Sequence, residues 1–122
     1  MGAVAVVFFR DSDGVAALEW LESLPDRAYA KGFVRIERLA ELGHELRRPE
    51  ADYLRDGIYE LRWALGHVNF RLLYFFHGRD VVVLAHGLTK EGRVPDRDID
   101  TASERKTAFL KKPEDHTHTE DL

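Results

Sequence analysis

Residues 58–76, IYELRWALGHVNFRLLYFF, constrain the fold more than any other part of the sequence, because they predict two β-strands joined by a tight turn. Large apolar side chains occupy every second position in both halves, as expected for strands that bury one face. If the turn is centred on residues 66–67, Trp63 lies opposite Phe70, and the large apolar side chains share one face of the hairpin. The sequence therefore predicts an antiparallel hairpin at the centre of the sheet.

The remaining patterns predict the element order β-α-α-β-β-β-α. Apolar residues that recur every three or four positions indicate two helices between residues 12 and 43, which form a helical hairpin. The other predicted elements are the strands Ala3–Phe9, Ile58–Ala64, Asn69–Phe76 and Val81–Leu88, and a helix from Pro95 through Phe109. The predicted fold class is α+β: a mainly antiparallel four-stranded sheet with the helical hairpin on one face. The other face is open, or partly covered by the last helix.

Length and composition predict one domain, residues 1–112, followed by an acidic tail, residues 113–122. The chain has 122 residues and no cysteine, which excludes disulfides, thiol catalysis and cysteine-based zinc sites. The tail has four acidic residues and no Lys or Arg, and its very low content of apolar residues predicts disorder. The first apolar run is too short to span a membrane, so we expect a cytoplasmic protein with no membrane partner.

Two arginines stand at central strand positions. The hairpin register places Arg62 directly opposite Arg71, on the face away from the large apolar side chains. Like charges in such a pair destabilise a sheet by up to about 1 kcal/mol, whereas an anion between them reverses the sign. If the next turn is centred on residues 78–79, His86 also lies opposite Arg71, and Lys90 follows the strand. The sequence therefore predicts a phosphate site on the open face, and removal of Arg71 should not reduce stability.

A second interpretation of the same residues stays open. Glu60 is diagonal to Arg71 and could neutralise both arginines in a solvated network, which is common on strand surfaces. His86 could be an ordinary strand histidine and Lys90 an ordinary loop lysine. Arg48, in the segment GHELRRP, indicates a solvated helix end. No pattern predicts a cofactor, and two tail histidines make a poor metal site, so we expect neither cofactor nor metal.

Four segments together resemble successive blocks of the RelE/HigB toxin superfamily, and in particular its phage-derived HigB-like branch. The segments are LRDGIYELRW, NFRLLYFFHG, VVVLAHGLTK and VPDRDIDTA. The resemblance covers about residues 4–110 and implies a RelE-like fold. It also implies that RNA and phosphate are bound at four positions, Arg55, Arg62, Arg71 and Lys90.

The resemblance implies the toxin of a type II toxin–antitoxin system, a ribosome-dependent, metal-independent mRNA endoribonuclease. The implied partners are the ribosome, mRNA and a helix-turn-helix antitoxin. The expected chemistry is attack of an RNA 2′-OH on the adjacent phosphate, which yields a 2′,3′-cyclic phosphate. Arg62 and Arg71 would bind the phosphate, Lys90 would stabilise charge or transfer a proton, and His86 is a further acid/base candidate. The alternative is a catalytically degenerate relative that binds a partner or RNA without cleavage, because Glu91 stands where the branch has a second lysine.

Overall fold

A six-stranded sheet forms the centre of the computed structural model, which describes residues 3–122. Met1 and Gly2, with which the predicted domain begins, lie outside the described residues. The strands are β1 Ala5–Phe9, β2 Ala51–Arg55, β3 Ile58–Leu65, β4 Val68–His77, β5 Val81–Thr89 and β6 Thr117–His118. The α-helices are α1 Ala16–Glu22, α2 Asp26–Leu42 and α3 Asp96–Lys111. The strand order is β2-β3-β4-β5-β1-β6, with β1 parallel to β5 and the other described neighbours antiparallel.

The predicted central hairpin is confirmed. Strands β3 and β4 pair in the expected register, with Trp63 opposite Phe70 and Arg62 opposite Arg71. The α+β class and the helical hairpin between the first two strands of the prediction are also confirmed. Among residues 3–122, no helix is both long and apolar enough to cross a membrane.

Each face of the sheet carries its own apolar core. Helices α1 and α2 cover the face that holds Leu72 and Tyr74, and they bury Leu21 and Leu39 against it. Helix α3 covers the other face, where Phe75 and Val83 pack against its apolar side chains, among them Ile99, Ala102 and Phe109. The face predicted to carry the site is therefore partly covered by the last helix, which was one of the two alternatives.

The sheet has six strands where the sequence predicted four. Strand β2 was missed because it is short, lies at the sheet edge and contains two charged residues, Asp52 and Arg55. Its signal was present at Asp56 and Gly57, which have φ values of 55° and 78°. Two successive positive φ values define the two-residue hairpin turn that Asp-Gly favours, and such a turn needs a strand on each side.

The predicted register of β5 is wrong. His77 pairs with Val81, so the β4–β5 turn has one residue more than predicted. A one-residue shift exchanges the two faces of a strand, and Val83 consequently packs towards α3. An irregularity beside Leu73 shifts the register again. Arg71 therefore lies opposite Leu88, and His86 lies opposite Leu73 on the same face.

The tail also differs from the prediction of disorder. Residues 113–115 form a 3₁₀ turn, and Thr117–His118 form β6, which pairs with the edge of β1. The His116 ring stacks on Phe9 with a centroid separation of 5.1 Å, and its Nδ1 lies 2.8 Å from the carbonyl oxygen of Arg10. Composition alone missed these contacts because they depend on an open strand edge at β1.

Gly87, in the histidine-glycine pair of the third resembling block, has a packing role. The Trp20 indole of α1 lies directly over this glycine, and a Cβ there would collide with the indole ring. Trp20 also makes an edge-on contact with Trp63, with ring centroids 6.0 Å apart. The glycine thus lets α1 approach β5 closely. This contact is on the face of the sheet opposite to the one that carries Arg62 and Arg71.

Candidate active site

A cleft of about 510 Å³ lies beside Arg62 and Arg71, between the sheet and the loop that leads into α3. Its charged lining consists of Arg48, Arg62, Arg71, Arg93, Asp52 and Glu60. Four arginines face two carboxylates, so the lining has a net positive charge. A smaller hollow of about 210 Å³ shares Arg62, Asn69 and Arg71 with the cleft. The structure thus places the two predicted strand arginines together in a basic cleft.

Arg71 is buried and held on two sides. Its Nη1 donates to Glu60 Oε1 at 2.7 Å, and its Nη2 donates to the Gly92 carbonyl oxygen at 2.8 Å. Arg71 and Glu60 are only 6% and 5% exposed. Arg71 therefore lies neither on an open face nor in a solvated network. It forms a buried ion pair with Glu60. The guanidinium has a fixed orientation, with its remaining N–H groups as the donors that a ligand can use.

Arg62 differs from Arg71 because its charge is not neutralised by a contact. Among residues 3–122, its half-buried side chain has no hydrogen-bond or ion-pair partner. Its backbone is held firmly: its N–H donates to the Glu50 carbonyl oxygen at 2.9 Å, and its own carbonyl oxygen accepts from Arg35 Nε at 2.8 Å. A fixed backbone with a free guanidinium is an arrangement suited to binding an anion.

Lys90 stands at the rim of the cleft. Its backbone N–H donates to the carbonyl oxygen of Asn69 at 3.1 Å, and Asn69 lines the cleft. The Lys90 side chain is exposed and has no partner among the described residues. The neighbouring Glu91 is exposed as well. The Lys90 backbone is therefore fixed beside a cleft-lining residue, while its side chain is open to solvent.

His86 and Arg55 are not part of this cleft. His86 lies under α3, where its Nε2 is 2.8 Å from Asp98 Oδ1 and its Nδ1 is 3.5 Å from Arg105 Nη1. Arg55 donates to Asp100 at 2.9 Å and to Asp56 at 2.7 Å. These two hydrogen bonds raise the pKa of Arg55, and the bond that Arg55 donates to Asp100 has the larger effect. In this arrangement both side chains join α3 to the sheet.

Among the cleft arginines, sequence reasoning missed Arg48 and Arg93. Arg48 precedes β2 and pairs with Asp52, with Nη2 and Oδ2 2.6 Å apart. Arg93 is exposed in the loop before α3. Arg48 was interpreted as a solvated helix end because the strand that follows it had not been recognised. Arg93 carried no periodic signal at all, since a loop brings it to the cleft.

Glu50 joins α2 to the beginning of β2, next to the backbone of Arg62. Its carboxylate accepts two hydrogen bonds from Arg38, each 3.0 Å long, and one of 3.3 Å from Arg35. The hydrogen bond from Arg38 is the main reason that the pKa of Glu50 lies below its ordinary value of 4.5. Glu50 thus holds the strand that carries Arg62.

We expect Glu50→Gln to lower the free energy of unfolding at neutral pH, and the loss should disappear in acid. The folded state depresses the pKa of Glu50, so its stabilising contribution is complete above pH 4.5 and is lost as pH falls through the lower folded-state pKa. Urea denaturation of both proteins at several pH values measures this difference. Glu22→Gln, an exposed glutamate at the end of α1, is the matched control. A difference that stayed constant down to pH 3 would contradict the role of the ionised carboxylate.

The fold and the cleft together define a small α+β protein with a basic cleft on its sheet. Residues 19–107 match the family described as phage derived protein Gp49-like (DUF891). Over 100 residues the chain is 33% identical to "Probable endoribonuclease HigB1" of Mycobacterium tuberculosis, in strain CDC 1551 / Oshkosh and in strain ATCC 25618 / H37Rv. The aligned region covers 80% of this chain and 78% of each relative.

The chain belongs to the Gp49-like family, and the resemblance to the RelE/HigB superfamily is confirmed. The matched region begins in α1 and ends in α3, so it includes the residues that line the basic cleft.

Proposed function

We propose that this protein is the toxin of a type II toxin–antitoxin system and that it cleaves mRNA on the ribosome as an endoribonuclease. The observation that carries the proposal is the basic cleft, in which Arg62, whose side chain has no partner among residues 3–122, lies opposite a fixed Arg71. The family and the relative named as an endoribonuclease support the same chemistry. We further propose that the reaction needs no metal and that it takes place in the cytoplasm, where translating ribosomes are found.

In the proposed reaction, the 2′-OH gives up its proton to solvent as its oxygen attacks the adjacent phosphorus, the bond from phosphorus to the 5′-oxygen breaks, and the 5′-oxygen takes up a proton. The products are a 2′,3′-cyclic phosphate and a 5′-OH. Arg62 would bind the non-bridging oxygens, because its fork is free and permanently charged. Arg71 would add donors from a fixed direction, which lowers the reorganisation needed when charge develops on the phosphorane. Lys90, at the rim, would stabilise the departing 5′-oxygen or protonate it.

The other two predicted site residues take indirect roles in this proposal. Arg55 and His86 contact residues of α3, and α3 follows the loop that supplies Gly92 and Arg93 to the cleft. We assign them positioning roles. Direct acid/base work by His86 would require it to leave Asp98.

The ribosome would supply the geometry that the cleft lacks. Among the cleft-lining residues, both carboxylates are engaged by arginines, and none of the lining residues is a histidine. Holding the mRNA with its 2′-OH in line with the phosphate can contribute about 7–11 kcal/mol in well-oriented systems. The proposed partners are therefore the ribosome with its mRNA and, as regulator, a helix-turn-helix antitoxin.

Glu91 favours a second candidate, a catalytically degenerate relative that binds RNA or a partner without cutting. This acid lies directly after Lys90, is exposed, and stands near the rim where a second cation would help to hold phosphate. The two candidates differ only in turnover.

Induced expression without any partner should stop protein synthesis within minutes. The reason is that loss of intact mRNA on ribosomes halts elongation throughout the cell. Incorporation of radiolabelled methionine measures this, with Arg79→Ala as the matched control, since Arg79 is an exposed arginine in the β4–β5 turn, away from the cleft. Normal incorporation in cells that contain folded wild-type protein would favour the degenerate relative.

A further inference from the structure

A second hollow, also of about 510 Å³, lies on the other side of strand β2 from the basic cleft. Its aromatic and polar lining consists of His44, Arg47, Arg48, Asp52, Tyr53 and Tyr59. Side chains alternate along β2, so Asp52 lies beside Glu60 on the cleft face, whereas Tyr53 lies beside Tyr59 on the opposite face. The two hollows lie on opposite faces of the sheet. Because β2 is the edge strand, both are open at the same edge of the sheet.

The aromatic wall of this hollow is rigid. The Tyr53 ring meets Tyr59 edge-on with centroids 5.0 Å apart, and Tyr53 Oη accepts a hydrogen bond of 3.0 Å from the Gly57 N–H. Tyr59 in turn stacks on the buried Tyr74 with centroids 5.4 Å apart. Yet Tyr53 is 52% exposed, so part of a fixed aromatic ring faces solvent. Such a ring can accept a flat group at little entropic cost.

The two hollows are adjacent and share part of their lining. Arg48 and Asp52 line both of them and join them around the edge of β2. The Asp52 carboxylate holds this junction, because it accepts from Arg48 Nε at 2.9 Å and from the Tyr53 N–H at 3.0 Å. A chain with a phosphate in the basic cleft could therefore place its next residue against Tyr53 while its backbone passes Arg48.

We propose that the hollow is a nucleobase subsite, which holds an unstacked base of the RNA beside the phosphate bound at Arg62. The proposal rests on the proposed function of the cleft. A base fits the chemistry: its flat face stacks on tyrosine or on an arginine plane, and its N–H edge can donate to Asp52. The hollow shares its lining residue Arg48 with the basic cleft, and Arg47 lines it as well. These two arginines and the neighbouring phosphate cleft favour a nucleotide over an apolar peptide. The subsite would contribute affinity with little sequence preference, because every base has a π face.

Uncleavable dinucleotides test this subsite directly. Binding of a dinucleoside monophosphate with 2′-O-methyl groups is measured by calorimetry or by titration of tyrosine NMR signals, and is compared with analogues that lack one base. One of the two abasic analogues should bind wild-type protein about 5- to 100-fold more weakly. Tyr53→Leu should lose the same factor and should no longer distinguish that analogue from the parent. Tyr53→Phe keeps the ring, although it loses the hydrogen bond from the Gly57 N–H, and should still distinguish that analogue from the parent.

The controls separate failure of the subsite from failure of the cleft. Leu110→Ala removes an equally exposed apolar side chain from the last turn of α3 and should change nothing. If binding depends on Arg62 but neither base matters, the subsite is overturned and the cleft stands. If no dinucleotide binds in an Arg62-dependent way, the subsite is overturned together with phosphate binding by the isolated cleft, and cleavage of mRNA on ribosomes tests the proposed function separately. If Tyr53→Leu weakens only the complex with a helix-turn-helix partner, the hollow is a protein-binding site and the nucleobase proposal is overturned.

Discussion

Replacing Arg71 with alanine is expected to lower the free energy of unfolding by about 3–5 kcal/mol, the usual cost of removing one partner of a buried ion pair. Glu60 would stay buried without its cation, and the Gly92 carbonyl oxygen would lose its donor. For a chain of this size the loss corresponds to a fall in Tm of roughly 10–20 °C. Thermal and urea denaturation measure it. The sequence alone predicted that stability would hold or rise slightly, because it placed Arg71 on an open face, where its removal relieves repulsion from Arg62.

The matched controls for this experiment are an exposed arginine and a repaired pair. Arg79→Ala should melt like the wild-type protein, since Arg79 is exposed in a turn. The double variant Glu60→Leu with Arg71→Met should recover much of the lost stability, because it removes both buried charges together. An Arg71→Ala protein that melts at the wild-type temperature would show that the pair is not a structural element.

The second large effect is expected for Arg62→Ala, which should slow mRNA cleavage by about 100- to 1,000-fold, as removal of one donor to a developing oxyanion does in other enzymes. Stability should change by no more than about 0.5 kcal/mol, because the side chain has no partner among the described residues. Cleavage rates in a reconstituted translation reaction measure the loss. Arg62→Lys should keep part of the activity, since it keeps the charge but loses the planar fork. Cleavage by Arg62→Ala at the wild-type rate would remove the cleft from the mechanism.

The predictable part of the fold is the part in which local signals agree. The β3–β4 hairpin has alternating residues in both strands and a two-residue turn, so a single register buries Trp63 and Phe70. Strand β5 gave an equally clear strand signal but the wrong register. The turn between β4 and β5 has three residues, and the pairing of the two strands contains an irregularity. No pattern in the sequence indicates either feature.

The site was predictable to the same extent. Cross-strand pairing brought Arg62 and Arg71 together from the sequence alone. The burial of Glu60 with Arg71 was not predictable, because it follows from the packing of α3 and from the position of Gly92 in a loop. Arg48 and Arg93 joined the cleft for the same reason, since loops carry them there. Pairing across a sheet is encoded locally, whereas the closure of a cleft depends on contacts distant in sequence.

The most direct test of the central claim is the chemistry of the RNA ends in a purified translation reaction. With ribosomes, wild-type protein should cut the mRNA and leave a 2′,3′-cyclic phosphate and a 5′-OH, and Arg62→Ala should leave nearly all of the mRNA uncut over the same time. Mapping of the 5′ ends, together with their labelling by a kinase without prior phosphatase treatment, detects the expected products. A 5′-phosphate at the cut, or intact mRNA after incubation with folded wild-type protein and ribosomes, would contradict the account.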